Sequence, residues 1–469
     1  MKVVLIEPCS PGFHIFSLNK LPRLGLPLIG ALLKRQGYNV RIFCEELGPL
    51  DWSEVLRADL IGISSLTPTA PRAYELVRRI KWQAPKIPIA LGGPHVTFLP
   101  EEALEAGADY VVRGEGEETF LELAEALKEG ERDLPEVRGL SYRIGDEIRH
   151  NPERPLIQDL DSLPFPDLSL IAGAERINVL PIQTSRGCPY NCKFCSVVKM
   201  FGRGYRARSI DHVMEELRVL LRRAPGAHLF FYDDNFSEDA SRTKELLERM
   251  IREGLTPPWS AQERVRVARD TELLRLMKRS GCVRLCLGLE SINPETLKSY
   301  RKAQTVEEID LAIKTLHHYG IKVHGMFVLG ADTDTLATIR ETVRYSLAAK
   351  IDTVQFLILT PAPGTETFKE LEAEGRIFTR RWELFDGHHV VFRPKSLSPW
   401  QLQAAVTLEA MPRFYSFWRG IGAALKGEFR NSFFAFYGHR LIRRWRAQNA
   451  SFLSWLKRQE RERERSYSG

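Results

Sequence analysis

Short apolar runs alternate with amphipathic stretches over the first part of the chain. The amphipathic stretches have helical spacing and separate the runs by about ten to fifteen residues. The runs have the length and β-branched content of buried strands, and they read KVVLIEP, NVRIFC, ADLIGISS, PIALGG and ADYVVRG. This alternation predicts an α/β domain with a doubly wound parallel sheet over residues 1–130. Such sheets bind ligands beyond the carboxyl ends of their strands.

Residues 131–178 are irregular and rich in proline, which predicts a connector on the surface. The alternation then resumes over residues 179–385 with six apolar runs: INVLPIQTS, HLFFYDD, PWSAQERV, VRLCLGLES, KVHGMFVLG and DTVQFLILT. Six such units in series predict a partial parallel (β/α)6 barrel, whose functional residues follow the strand ends. Residues 386–469 are predicted to form a helical C-terminal region.

Length and composition indicate a folded protein of more than one domain. The chain has 469 residues, of which 43% are hydrophobic. It has no signal-peptide pattern and no apolar run near the roughly 18 residues of a membrane-spanning helix, so we expect a cytoplasmic protein. The cysteines number seven, and three of them are clustered, which is not the pattern of a disulfide framework.

The positive charge is concentrated at the C-terminus. The whole chain carries +7, but residues 412–469 contain 13 basic and four acidic residues, a net charge of +9 that leaves −2 for the remainder. Thirteen aromatic residues are interleaved with the basic ones. Three interpretations remain open: stacking on single-stranded RNA, peripheral contact with an anionic membrane, or a helical cap that buries its aromatic side chains. No compact RNA-binding module is recognisable, so we expect no nucleic-acid partner.

The stretch RGCPYNCKFC places Cys188, Cys192 and Cys195 on the loop after the first strand of the predicted barrel. A structural zinc site has four protein ligands, commonly with a second Cys or His pair nearby, and no such pair follows here. Three thiolates on a cubane cluster leave one iron open to a small molecule. The spacing therefore predicts an iron–sulfur site with one open position.

This stretch resembles the signature of the radical S-adenosylmethionine (SAM) superfamily, Cys-x-x-x-Cys-x-aromatic-Cys, with Phe194 in the aromatic position. The resemblance implies that the three cysteines hold a [4Fe-4S] cluster and that SAM binds the open iron. It also implies reductive cleavage of SAM to methionine and a 5′-deoxyadenosyl radical. An external one-electron reductant such as flavodoxin or ferredoxin would supply the electron.

Other strand ends resemble SAM-contacting motifs of the superfamily, namely FFYDDNF, GLES and HGMFVLG. The two aspartates of the first motif have helix capping as their alternative role, and Arg264 has a surface ion pair as its alternative. The proline and acidic residue that often follow the glycine motif are replaced here by ADTDT. The resemblance implies SAM contacts by Phe194, Asp233, Asp234, Arg264, Glu290, Gly325 and Gly330; the catalytic residues stay unknown.

Residues 1–130 are similar to the cobalamin-binding domain that precedes the barrel in one branch of the superfamily. The chain lacks that domain's Asp-x-His-x-x-Gly loop, in which the histidine binds cobalt, and His14 stands out of register. The alternative is a domain of the same fold that only shapes the substrate pocket, with His95 bonded locally. The resemblance implies cobalamin contacts by Ser64, Ser65, Gly92, Gly93, His95, Gly114 and Glu115.

That branch includes the anaerobic magnesium-protoporphyrin monomethyl ester cyclase and radical SAM C-methyltransferases. The resemblance therefore implies an enzyme that functionalises an unactivated carbon of a hydrophobic small molecule or lipid, with C-methylation as the main expectation. Oxidative cyclisation or rearrangement without methyl transfer is the alternative, and a non-catalytic cobalamin or redox sensor is a more remote one. No residue identifies the substrate.

Overall fold

The computed structural model describes residues 1–10, 12, 19–130 and 133–468, so His14 lies outside the described residues. The described chain divides into two compact units. The first unit holds residues 1–10, 19–130, 133–189 and 196–234; the second holds residues 12, 190–195 and 235–468.

A seven-stranded sheet forms the centre of the first unit, with strand order β2-β1-β3-β4-β5-β6-β7. Strands β1 to β5 are parallel, whereas β6 and β7 extend the sheet as an antiparallel hairpin. The strands are β1 (Lys2–Glu7), β2 (Asn39–Cys44), β3 (Leu60–Ser64), β4 (Ile89–Gly92), β5 (Tyr110–Val112), β6 (Leu140–Ile144) and β7 (Glu147–His150). The doubly wound parallel sheet is confirmed, and the hairpin lies in the stretch predicted as a connector.

Helices cover both faces of this sheet. Alternate side chains of a buried strand point to opposite faces, so Val4 and Ile6 pack in the core cluster with the apolar face of α3. Leu5 lies on the other face, where the Cβ of a residue in place of Gly62 would come within 2.7 Å of both Leu5 and Phe120. The helices are α1 (Gly25–Arg35), α2 (Trp52–Val55), α3 (Ala70–Gln83), α4 (Pro94–Phe98), α5 (Pro100–Glu105) and α6 (Glu117–Lys128).

The six β/α repeats predicted for the second half of the chain are all present. Their strands pair in parallel within each of the two compact units. The first unit contains β8 (Val179–Ile182), β9 (Ser185–Arg186), β10 (Arg206–Ala207) and β11 (His228–Phe231), with α7 (Val197–Phe201) and α8 (Ile210–Arg223). Here β8 pairs with β11, whereas β9 and β10 form an antiparallel ribbon.

In the second unit, four parallel strands pair in sequence order. They are β12 (Trp259–Glu263), β13 (Cys282–Glu290), β14 (Lys322–Leu329) and β15 (Thr353–Ile358). The helices are α9 (Ala240–Arg252), α10 (Thr271–Arg279), α11 (Pro294–Ser299), α12 (Val306–His318), α13 (Leu336–Ala348) and α14 (Glu366–Ala373). The predicted fold class is therefore confirmed. The predicted domain boundaries stay a prediction.

The C-terminal region is helical, as predicted. Its helices are α15 (Pro399–Gln403), which continues through a π-helical segment (Ala404–Ala410) into α16 (Met411–Phe414), then α17 (Phe417–Leu425), α18 (Phe429–Gln448) and α19 (Ala450–Ser468). The helix breaks at Tyr415, whose hydroxyl donates to the carbonyl of Val354 at 2.6 Å. No helix among the residues described is long and apolar enough to cross a membrane.

Candidate functional site

The ribbon of β9 and β10 brackets the cysteine loop. Arg186 pairs with Arg206 and Ser185 with Ala207, so both ends of the loop are held together. Gly187 then starts the loop with φ of +88°, and an added Cβ would lie 2.2 Å from the carbonyl oxygen of Gly204. Only glycine fits such a left-handed, crowded position.

The three clustered cysteines are half-buried free thiols. Cys188 belongs to the first unit, and Cys192 and Cys195 belong to the second. Within either unit taken alone, the described residues gather no three Cys, His, Asp or Glu side chains into a metal site. The cluster assignment therefore rests on the spacing of the thiols and their donor chemistry, and it stays a prediction.

The other cysteines differ in their surroundings. Burial, with a smaller effect from neighbouring glutamates, raises the pKa of Cys9 to about 11. Burial likewise raises the pKa of Cys44 to about 12 and that of Cys286 to about 11, and it also raises the pKa of Cys282. Burial thus disfavours the thiolate form of these four side chains.

A buried ion-pair network ties the base of the cysteine loop to the end of β5. The Glu115 carboxylate accepts from Arg186 at 2.9 Å and from both terminal nitrogens of Arg206 at 2.9 and 3.0 Å. Arg186 also donates to Glu117 at 2.6 Å. Burial alone would raise the pKa of Glu115, but the hydrogen bonds from Arg206 and the charge of Arg186 outweigh it and lower the pKa. All four side chains are buried.

Asp233 and Asp234 follow β11 but have different surroundings. Asp233 is fully buried and accepts from the backbone N–H and hydroxyl of Thr184, at 3.1 and 2.9 Å. Its carboxylate thus holds the segment between β8 and β9. Burial and the charge of Asp233 raise the pKa of Asp234 to about 6, although the backbone N–H of Gly187 donates to it. Neither aspartate caps α9, because the cap is Asp239.

Phe194 lies against the segment 300–304 in the second unit. Its ring meets that of Tyr300 edge-on, with centroids 5.1 Å apart. The backbone N–H of the neighbouring Lys193 donates to the carbonyl of Tyr300 at 3.3 Å. This segment is strained, because Arg301 and Ala303 both have positive φ. Backbone strain of this kind is common where function fixes a loop.

Glu290 ends β13 in a strained conformation and is buried. Its φ is +59°, and the strand register shifts between Gly288 and Glu290. Lys302, also buried, donates to the Glu290 carboxylate at 2.7 Å. Gln304 donates to the carbonyls of Gly288 and Leu289 at 3.1 and 3.0 Å. The carboxylate is thereby fixed at the strand end.

Arg264 is buried rather than exposed on the surface. Its guanidinium lies 3.7 Å from the ring centroid of Tyr190 and donates to the carbonyl of Lys302 at 2.7 Å. Arg264 and Tyr190 also line a cavity of about 410 Å³ beyond β12. A stacked, oriented guanidinium beside a cavity suits recognition of a carboxylate.

The two predicted glycines of the HGMFVLG motif lie at different positions relative to β14. Gly325 lies within β14, where an added Cβ would be 3.1 Å from Leu289 and 3.3 Å from Ile351. Gly330 follows the strand with φ of +106° and donates to Asp334 at 2.8 Å. Asp334 belongs to the divergent ADTDT stretch, so this stretch caps the end of β14.

A cavity of about 240 Å³ lies at the carboxyl ends of β3, β4 and β5 in the first unit. Glycines form much of its wall, and Gly114 has open space where a Cβ would stand. Such a wall leaves room for a flat group to approach the backbone. No histidine is among the described residues that line it. Five of the predicted residues line it: Ser64, Gly92, Gly93, Gly114 and Glu115.

Ser65 and His95 lie outside the lining of this cavity. Ser65 donates from its backbone to the carbonyl of Gly92 at 2.8 Å, which joins the end of β3 to the end of β4. His95 is fully buried, with Nε2 3.6 Å from the Glu102 carboxylate and its ring 6.1 Å from that of Tyr74. These contacts fit the local role that was the alternative for His95.

Several partner residues at these sites were not anticipated from the sequence. Arg186, directly before the Gly-Cys pair, carried the only visible signal, because a charged residue at the base of a cysteine loop needs a partner. The positions of the others depend on contacts between distant segments that periodicity does not reveal. The residues are Arg186, Arg206, Tyr190, Tyr300 and Lys302.

Two family models match the chain: the B12 binding domain over residues 17–124 and the radical SAM superfamily over residues 182–346. An uncharacterized methyltransferase of Pyrococcus horikoshii is 33% identical over 415 residues, covering 86% of this chain and 90% of that protein. The anaerobic magnesium-protoporphyrin IX monomethyl ester cyclase of Cereibacter sphaeroides is 30% identical over 449 residues, which cover 90% of this chain and 72% of that protein.

Among solved structures, the cobalamin-dependent SAM radical enzyme OxsB with aqua-cobalamin bound has a TM-score of 0.74 at 18% identity. The match covers 94% of this chain and 72% of that one, and it supports the fold. Together these similarities define the class: the protein is a radical SAM enzyme. The chain belongs to the B12-binding radical SAM family, and the predicted cofactors, a [4Fe-4S] cluster, SAM and cobalamin, are those of this family.

Proposed function

We propose that this enzyme transfers a methyl group to an unactivated carbon of a hydrophobic small molecule or lipid. The observation that carries the proposal is the glycine-walled cavity of the B12-binding domain, present in the same chain as the radical SAM cysteine loop. A methyl carrier is needed for methyl transfer but not for SAM cleavage alone. The similarity to an uncharacterized methyltransferase over 86% of the chain supports methyl transfer.

The chain's own residues would hold three groups. Cys188, Cys192 and Cys195 would bind the cluster, and the cavity at the ends of β3 to β5 would bind cobalamin without a histidine from its described lining. When bound, the cluster supplies the electron that cleaves SAM, and cobalamin supplies a methyl carrier. An external one-electron donor of the flavodoxin or ferredoxin type would reduce the cluster again.

SAM would be oriented by residues of the second unit. Phe194, held against Tyr300, offers an apolar surface for adenine. Arg264 is placed to pair with the carboxylate of the methionyl group, because its guanidinium is buried and fixed by stacking on Tyr190. Glu290 supplies an oriented acceptor for a ribose hydroxyl or the methionyl amine.

Substituting Ser64→Phe should block cobalamin binding without stopping SAM cleavage. Ser64 ends β3 and lines the cavity, so the larger ring would occupy the space of the ligand. We expect cobalamin affinity, measured from visible absorption after reconstitution, to fall by more than about tenfold. Ser64→Ala is the matched control and should bind cobalamin as the wild type does. Equal affinity in Ser64→Phe would mean that cobalamin binds elsewhere.

Substituting Glu290→Gln should weaken SAM binding while leaving the cluster in place. The change removes one charge-assisted acceptor at nearly constant volume, so the KM for SAM should rise by about tenfold to a hundredfold. The assay is formation of 5′-deoxyadenosine, with iron content as a check on the cluster. Glu307→Gln, on the exposed surface of α12, is the control and should leave the KM unchanged. An unchanged KM in Glu290→Gln would exclude Glu290 from SAM binding.

Product analysis separates methyl transfer from the alternatives. Reduced, cobalamin-loaded enzyme should convert SAM with a deuterated methyl group into S-adenosylhomocysteine as well as 5′-deoxyadenosine. Formation of 5′-deoxyadenosine without S-adenosylhomocysteine would favour the cyclisation or rearrangement that the similarity to the cyclase suggests. No turnover by enzyme with a loaded cluster would favour the sensor.

A further inference from the structure

The helical hairpin of α17 and α18 exposes a group of large apolar side chains. Trp418 is 77% exposed, Leu425 84% and Phe429 75%, and Phe417 and Phe433 are about half exposed. Five exposed large apolar side chains on one helical hairpin indicate an interaction site rather than ordinary surface composition.

Specific packing contacts hold the two helices of the hairpin and leave these side chains exposed. Gly420 of α17 lets α18 approach closely, since an added Cβ would lie 2.8 Å from the Phe436 ring. The opposite side of α18 faces the second unit, where Arg284 lies 5.1 Å from the Phe434 ring and Lys322 lies 3.4 Å from Asn431. On α18, the exposed Phe429 and Phe433 therefore lie on the side turned away from the four-stranded sheet.

A continuous stripe on α18 changes from aromatic to basic. Phe433, Tyr437, Arg440 and Arg444 follow one another at helical spacing on one face. The rings of Phe433 and Tyr437 are stacked, with centroids 5.9 Å apart. Residues 412–459 contain ten basic residues and a single acidic one, Glu428. The apolar group is thus bordered by positive charge.

Elsewhere in the described C-terminal region, several aromatic side chains are packed, although Trp455 is 38% exposed. Trp445 and Phe452 contact His389 with ring centroids 5.1 and 4.9 Å away, and Phe414 is fully buried beside Phe356. The helical-cap interpretation therefore fits these residues, and it leaves the α17–α18 hairpin unexplained.

We propose that the α17–α18 hairpin docks on an anionic lipid surface. Trp418, Leu425 and Phe429 enter the boundary between headgroups and acyl chains, while Arg440 and Arg444 contact the headgroup phosphates. A lipid surface fits better than RNA because Leu425, the most exposed of these side chains, has no ring to stack on a base. This docking does not depend on which reaction the enzyme performs.

Sedimentation of the full-length enzyme with vesicles tests the proposal. The vesicles are phosphatidylcholine, with or without phosphatidylglycerol, and the readout is the partition coefficient at low and high salt. We expect binding only with phosphatidylglycerol, weakened by salt. The double variant Trp418→Glu, Phe429→Glu should bind about a hundredfold more weakly, and Arg440→Gln with Arg444→Gln should remove most of the salt dependence.

The matched control is Trp82→Glu, because Trp82 on α3 is 84% exposed but lies in the first unit. It should bind vesicles as the wild type does. All variants should form 5′-deoxyadenosine from SAM at the wild-type rate, which separates loss of docking from loss of fold or of the proposed reaction. Equal vesicle binding by the double variant, or binding to polyuridylate in preference to vesicles, would overturn the proposal.

Discussion

Alanine in place of Cys188, Cys192 or Cys195 is expected to abolish cluster assembly and SAM cleavage. A site with three protein thiolates and one open position cannot hold its iron when one thiolate is lost. After reconstitution with iron and sulfide, each variant should lack the broad visible absorption of the cluster. Formation of 5′-deoxyadenosine should fall by at least about a thousandfold.

Cys286→Ala is the matched control for these three substitutions. Cys286 is also a free cysteine, but burial raises the pKa of its thiol to about 11. This variant should assemble the cluster and cleave SAM as the wild type does. If Cys286→Ala lost the cluster while a variant of Cys188, Cys192 or Cys195 retained it, the ligand assignment would be wrong.

The second large effect is expected for Glu115→Gln. The substitution leaves the buried guanidiniums of Arg186 and Arg206 without their shared carboxylate. Breaking a buried ion pair from one side costs about 3–5 kcal/mol. We expect a loss of that size in the free energy of unfolding of the first unit, measured with urea. Cluster loading should also fall, because both arginines lie at the base of the cysteine loop.

Asp310→Asn provides the contrast, since Asp310 pairs with Lys314 on the exposed surface of α12. Asp310→Asn should lower the free energy of unfolding by less than about 1 kcal/mol. The pKa of Glu115 is lowered in the folded protein, so its stabilising effect is present above the unfolded pKa and is lost as pH falls through the folded one. The difference between wild type and Glu115→Gln should therefore shrink in acid. If wild type and Glu115→Gln had similar free energies of unfolding at neutral pH, Glu115 would not stabilise the first unit as described.

The elements that could be predicted from the sequence are those with strong periodicity. The parallel strands of both sheets are buried apolar runs, so their positions followed from the pattern alone. The hairpin of β6 and β7 was missed because its strands are short, and β7 is almost entirely exposed. Such an edge hairpin carries little apolar signal.

The candidate site was predictable in its motifs but not in its contacts. Glu115 was singled out for cobalamin, and its main partners are two arginines far away in the chain. Asp233 is predicted to contact SAM, and its carboxylate also accepts a hydrogen bond from Thr184. The partner of a buried charge depends on tertiary packing, which a single sequence does not specify. The glycine positions have a local cause, because a strand-end turn can need the positive φ that Gly93 and Gly114 adopt.

The most direct test of the central claim is SAM cleavage by the wild-type enzyme. Protein reconstituted anaerobically with iron, sulfide and cobalamin would be reduced with dithionite, and 5′-deoxyadenosine would be quantified per mole of cluster. The account predicts deoxyadenosine that requires both reductant and cluster, with cobalamin retained through gel filtration. A fully loaded cluster that forms no deoxyadenosine would contradict it.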